Sequence, residues 1–200
     1  MTKKLASPTA VELQEAFSQF SNERPRASAL MAAAWVDDAL RAVLQAYLSR
    51  DHATASALLR ADAPLGSFGV RIKIAFLLGL ISSEARADLD SIREIRNQFA
   101  HVRTRVSFKT DKIAVKCKRL HAAEVLRDFV KRPLHNREKF LWSAYFIATI
   151  LIRLSVSAKP PGPFPDLYQD YARSLRRISK SPAFETFIAA INEHLANSAV

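Results

Sequence analysis

The sequence predicts an all-α fold, a bundle of about six to eight helices, because apolar residues recur at spacings of three and four along most of the chain. Long stretches rich in alanine and leucine also lack glycine and proline. The apolar fraction of 49% in 200 residues is enough to bury a core. The single cysteine, Cys117, excludes an internal disulfide. One helical body is therefore expected.

The N-terminal part of the chain predicts three helices. Residues 11–20 carry apolar side chains at helical spacing and end before Pro25, which indicates a short amphipathic helix. Residues 26–48 predict a long second helix, in which Asp37 lies beside the apolar stripe. Residues 49–60 follow as a short third helix.

A loop and two helices are expected next. Residues 61–67 contain a proline and a glycine and predict a loop. Residues 68–81 are almost entirely apolar and predict a helix, from which Arg71 and Lys73 should extend their charged heads to the surface. Residues 82–102 begin with serines and early acids, which suit a helix N-terminus, and continue with an apolar stripe.

The pattern changes after that helix. In residues 104–116, apolar and polar side chains alternate on either side of "KTDK", which predicts a small β-hairpin. Residues 121–132 and 136–158 predict two further helices. The uncharged run 140–152 in the last one is 13 residues long, whereas a membrane span needs about 20. It is expected to be a core helix.

The proline distribution predicts a division of the chain after residue 158. Residues 1–158 are expected to form the helical bundle domain. Residues 159–166 hold four of the nine prolines and predict an extended connector. Residues 167–200 contain two amphipathic segments and predict a C-terminal helical arm that packs on the bundle or on a second subunit. No secretory signal pattern begins the sequence, and a cytoplasmic location is expected.

Positive charge is concentrated in the second half. Residues 1–102 hold 12 Lys and Arg against 11 Asp and Glu, whereas residues 103–200 hold 18 against 8. Such a surface attracts polyanions, chiefly nucleic acid, and less often anionic lipid or an acidic protein. The candidate nucleic-acid-binding residues are Arg103, Arg105, Lys109, Lys112, Lys116, Lys118 and Arg119.

The segment "RNQFAH" at the end of the fifth predicted helix carries the candidate chemistry. Arg93, Asn97 and His101 are related by steps of four and lie on one polar stripe, and Arg96 lies to one side of it. A histidine near a helix C-terminus can exchange a proton near neutral pH, and an arginine can hold a phosphate. Asp37 is expected to orient His101 or pair with Arg96. A bond from Arg71 to Asp37 or Glu94 is the structural alternative.

This segment resembles the R-N-x-x-x-H motif of HEPN domains, which are all-helical modules whose active members are often ribonucleases that pair two motifs across a dimer. The resemblance implies metal-independent RNA cleavage, with His101 as acid and base, Arg96 on the phosphate, and Asn97 and Asp37 as further catalytic candidates. Two alternatives are a site that binds phosphate without cleaving and a polar helix end that only caps its helix or contacts a second subunit.

A longer run resembles the mannitol operon repressor family, in which a P-L-G segment precedes an R-x-K pair, a G-L-I stretch and a basic helix end. The matching residues are Pro64, Leu65, Gly66, Arg71, Lys73, Gly79, Leu80, Ile81, Arg96 and His101. The resemblance implies an all-helical, oligomeric bacterial regulator without a helix-turn-helix.

The favoured interpretation is therefore a regulator of this type that acts by binding. A HEPN-type endoribonuclease and a helical interaction module without a nucleic-acid partner are the alternatives. RNA or DNA, a regulatory protein and a second copy of the chain are the expected partners, with no membrane, metal or cofactor.

Overall fold

The computed structural model describes residues 10–101, 106–127 and 132–160, and over these ranges the chain is all-helical, without β-strands. The described helices are α1 (Ala10–Ser21), α2 (Pro25–Tyr47), a 3-10 turn (Ser49–Asp51), α3 (His52–Leu58), α4 (Phe68–Leu77), α5 (Ser83–His101), α6 (Asp111–Lys118), α7 (His121–Arg127) and α8 (Asn136–Ser157). The all-α prediction is confirmed.

The chain divides into two compact units, Met1–Pro160 and Pro161–Val200, and every described residue belongs to the first. The predicted arm and most of the predicted connector lie outside the described residues. The division at residue 158 and the role of the arm therefore stay predictions.

The centre of the bundle is the pair formed by α2 and α8, which pack along each other more extensively than any other two described helices. Small buried residues, Ala32 and Ala33 on α2 and Ala144 and Ala148 on α8, let helices approach closely. By length and composition alone, α8 could cross a membrane. One of its faces, which includes Phe140, is buried in the core, as expected for the central helix of a bundle.

Helix α5 forms a second layer and contacts α2, α4, α6, α7 and α8. Its predicted apolar stripe is fully buried, at Leu89, Ile92, Ile95 and Phe99. Most polar residues of α5 therefore lie away from this stripe, and Asp88 is a buried exception.

The predicted β-hairpin at 104–116 is wrong over its described part, because Asp111–Lys118 is α6 and the residues just before it form a turn. Ile113 and Cys117 are spaced by four and are both buried, which is helical periodicity. Phe108 belongs to the apolar and polar alternation that predicted a strand. Its side chain lies in the core, with its ring centroid 4.9 Å from that of Phe99. Because a single apolar residue of this short turn is buried between more exposed ones, the sequence there alternates as it would in a strand.

Asp88 joins α5 to α7. This carboxylate is buried and accepts hydrogen bonds from the backbone N–H groups of His121 and Ala122, both at 2.8 Å. These are the first N–H groups of α7, which have no partner within their own helix. A charged side chain from a neighbouring helix thus caps α7 and fixes its start against α5.

Candidate functional site

The Arg71 guanidinium ties α4 to α2 and to the loop between α3 and α4. Its Nε donates to Asp37 Oδ1 at 2.8 Å and its Nη2 to Oδ2 at 2.6 Å. Its Nη1 donates to the backbone carbonyls of Leu65, at 3.0 Å, and Gly66, at 2.6 Å. The side chain is only 7% exposed, so the expectation that Arg71 reaches the surface is wrong, whereas Lys73 is exposed as expected. Asp37 therefore pairs with Arg71, which was the structural alternative to a contact with His101 or Arg96.

Gly66 is required by the close approach of this loop to the end of α3. A Cβ at this position would lie 2.4 Å from the carbonyl oxygens of both Arg60 and Ala61. Backbone atoms cannot yield as the end of a flexible side chain does. The P-L-G segment and Arg71 are therefore two halves of one structural clamp: the glycine permits the loop to close, and the arginine holds two of its carbonyls.

This clamp shapes a cleft of about 540 Å³ bounded by α2, the loop before α4, and α5. The cleft is lined by Leu30, Ala33, Ala34, Asp37, Gly66, Ser67, Phe68, Arg93 and Arg96. Two of the predicted catalytic residues, Asp37 and Arg96, meet here. Arg93, which the sequence placed on the polar stripe of α5, was not among the predicted site residues.

His101 does not line this cleft. Five residues at about 100° each place its side chain about 140° around α5 from Arg96, so the two point in different directions. His101 is exposed, and the Arg96 Nη1 donates to Asn97 Oδ1 at 3.1 Å. The carbonyl of Ala100 at the helix end accepts from Arg26 Nη2 at 2.9 Å. Arg96, His101 and Asp37 therefore do not form one catalytic cluster within a single chain.

The predicted nucleic-acid-binding residues lie in part on α6. Arg103 and Arg105 lie outside the described residues. Lys109, Lys112, Lys118 and Arg119 are exposed, whereas Lys116 is half-buried and its Nζ pairs with the Glu94 carboxylate of α5. The basic segment is thus partly a helix that docks on α5 and partly an exposed cationic surface.

Cys117 carries no site chemistry. It is fully buried among apolar side chains of α6 and its neighbours. Burial raises the pKa of its thiol to about 12, against a smaller opposing effect of Lys139. A thiol held neutral is a poor nucleophile.

An apolar surface that the sequence analysis did not single out lies at the start of α5 and on α8. A groove of about 290 Å³ is lined by Leu80, Ile81, Ser82, Ala85, Leu89, Ile147, Ile150, Leu151 and Leu154. Ile150 is exposed within it, and Leu77 at the end of α4 is 76% exposed. The uncharged run of residues 74–81 contains more apolar side chains than one helix face can bury. This excess is the sequence signal that could have indicated an exposed apolar surface.

A family model described as "Mannitol repressor" matches residues 17–145. The fold is similar to a chain in the X-ray structure of the MtlR-HPr complex from Escherichia coli, with a TM-score of 0.55 and 18% sequence identity, over 73% of this chain and 99% of that chain. No curated protein matches the sequence.

Proposed function

Because the chain belongs to the mannitol repressor family, matched over residues 17–145, we propose that it regulates by binding an HPr-like protein. The family and the fold support a regulator that acts by binding and not by catalysis. The separation of Arg96 and His101 on α5 agrees with this role.

The observation that carries the proposal is the apolar groove between the start of α5 and α8. Exposed apolar side chains in contiguous patches are typical of surfaces that contact another protein. Ile150 lies in this groove and is 48% exposed. The similar structure was determined as a complex with HPr, and the present chain covers 99% of the matched chain there. An HPr-like protein is therefore the occupant we propose for the groove.

The proposal is tested by isothermal titration of the full chain with HPr from the same organism. Replacing Ile150 by serine should weaken binding about tenfold, because it removes apolar area that the interface would bury. Val125→Ser is the matched control, since Val125 on α7 is 49% exposed and lies outside the groove. Absence of HPr binding by the wild type, or equal effects of the two variants, would contradict the proposal.

Nucleic-acid binding is a second candidate function, favoured by the cationic surface of α6. Among the described residues, no acidic partner pairs with Lys109, Lys112, Lys118 or Arg119. The excess charge in residues 103–200 adds a long-range attraction to phosphate. Such a surface supplies affinity without base specificity. We therefore propose a protein as the main partner and RNA or DNA as the second candidate.

A further inference from the structure

The cleft beside the Arg71 clamp has two chemically different walls. Leu30, Ala33 and Ala34 of α2 supply an apolar wall, and Arg93 and Arg96 of α5 supply a cationic one. Its volume of about 540 Å³ lies within the range of about 300–1,000 Å³ that small-molecule sites occupy. An inorganic ion needs only the second wall, whereas an organic anion uses both.

The charge of the cleft is positive. Asp37 is the one carboxylate that lines it, and both of its oxygens accept from Arg71, which compensates its charge. Arg93 also contacts two carboxylates that do not line the cleft, Asp90 Oδ1 at 3.4 Å and Glu94 Oε1 at 3.7 Å. These two carboxylates are also shared with Arg86, at 4.0 Å from Asp90, and with Lys116. Three cations thus share two carboxylates, and Arg93 is only partly compensated.

Arg96 is the less compensated of the two arginines. It is exposed, and its hydrogen bond, at 3.1 Å, goes to the neutral amide of Asn97. No acidic side chain among residues 10–101, 106–127 and 132–160 forms an ion pair with it. Arginine presents five N–H donors, so Arg96 retains donors for an anion in the cleft.

The side chain of Arg93 lines the cleft and lies next to the first turn of α4. Its Cδ lies 3.5 Å from the position a Cβ would take at Gly69, the second residue of α4. A Cβ at Gly69 would make ordinary van der Waals contact with Arg93, so the arginine packs along the first turn of α4. Arg93 and Arg96 are three residues apart, on neighbouring rows of α5, and both reach the same cleft.

We propose that this cleft is a binding site for a small organic anion. Arg93 and Arg96 bind its phosphate or carboxylate group, and Leu30, Ala33 and Ala34 pack against its uncharged body. The site is separate from the apolar groove near Ile150, so ligand binding here does not depend on the identity of the protein partner.

The test is isothermal titration of the full chain at constant ionic strength with glycerol 3-phosphate, succinate and inorganic phosphate. The two organic probes distinguish a phosphate from a carboxylate source, and at least one should bind with saturation. Inorganic phosphate should bind more weakly than the better organic probe. Arg96→Gln and Arg93→Gln should each weaken binding about tenfold or more, because each removes charge-assisted hydrogen bonds. Ala34→Leu, which fills the apolar wall without changing charge, should also weaken the organic probe.

Arg153→Gln is the matched control, because Arg153 is an exposed arginine of α8 outside the cleft. It should leave the affinity within twofold of the wild type. The proposal is overturned if no probe binds with saturation, if inorganic phosphate binds as tightly as both organic probes, or if Arg153→Gln weakens binding as much as Arg96→Gln. Binding that survives both cleft-arginine substitutions would also overturn it. Melting temperatures of the variants show that each is folded.

Discussion

Replacing Asp37 by asparagine should destabilise the bundle strongly, because it removes one charge from a largely buried ion pair. The Asp37 side chain is 24% exposed and that of Arg71 is 7% exposed, and two hydrogen bonds of 2.6 and 2.8 Å join them. Breaking a fully buried pair costs about 3–5 kcal/mol, since the remaining charge is left without its partner. Partial solvation of Asp37 reduces this to about 2–3 kcal/mol. For a chain of this size the melting temperature should fall by about 4–12 °C.

Asp38→Asn is the matched control for this prediction. Asp38 is the next residue of α2, its side chain is 70% exposed, and its contact with Arg41 is 3.5 Å long. An exposed pair of this kind contributes about 0.5 kcal/mol or less. Urea denaturation followed by circular dichroism at 222 nm measures both variants. Equal loss of unfolding free energy in Asp37→Asn and Asp38→Asn would refute the role assigned to the clamp.

Two further predictions concern ionisation and charge. The hydrogen bond to Asp88 raises the pKa of His121, so its contribution to stability is fully present below the unfolded pKa of about 6.5 and is lost as pH rises through the higher folded pKa. The unfolding free energy should therefore fall as pH rises above about 6.5, and only slightly, because the ring is 49% exposed and solvent screens the pair. His121→Gln should remove this dependence, and a pH profile that is identical in the variant would exclude it. If the cationic surface of α6 binds nucleic acid, replacing Lys112 and Lys118 by glutamate should weaken binding of single-stranded RNA and flatten its salt dependence, as measured by filter binding. The control Lys73→Glu on α4 should have a smaller effect. An affinity independent of salt would count against this function.

The helices were predictable because their signals are local. The apolar stripe of α5 at Leu89, Ile92, Ile95 and Phe99 was predicted from its spacing, and all four residues are buried. The failure at 104–116 has the same origin, because a short segment offers too few residues to separate a period of two from a turn followed by a helix. Burial of Phe108 depends on Phe99 of α5 and Phe140 of α8, and a pattern within the segment does not show that these two helices pack against it.

The candidate site was only partly predictable. The sequence identified the P-L-G segment and Arg71 as belonging together, but not why, and it expected Arg71 at the surface. Asp37 and Arg96 line one cleft, but Asp37 pairs with Arg71 and not with Arg96. His101 was grouped with Arg96, although about 140° of helix separates them. Arg93 was seen only as part of a polar stripe. Its role in the cleft depends on how α5 is rotated against α4.

By itself, the sequence determined the helical class, the buried face of α5 and the membership of a regulator family, because helix periodicity and the order of motif residues can be read directly along the chain. The tertiary structure alone decided that Arg71 pairs with Asp37, that Asp88 caps α7 and that two arginines of α5 share a cleft with an apolar wall of α2. These contacts join residues 33 or more positions apart in sequence. Their partners are chosen by the packing of whole helices, which no local pattern contains.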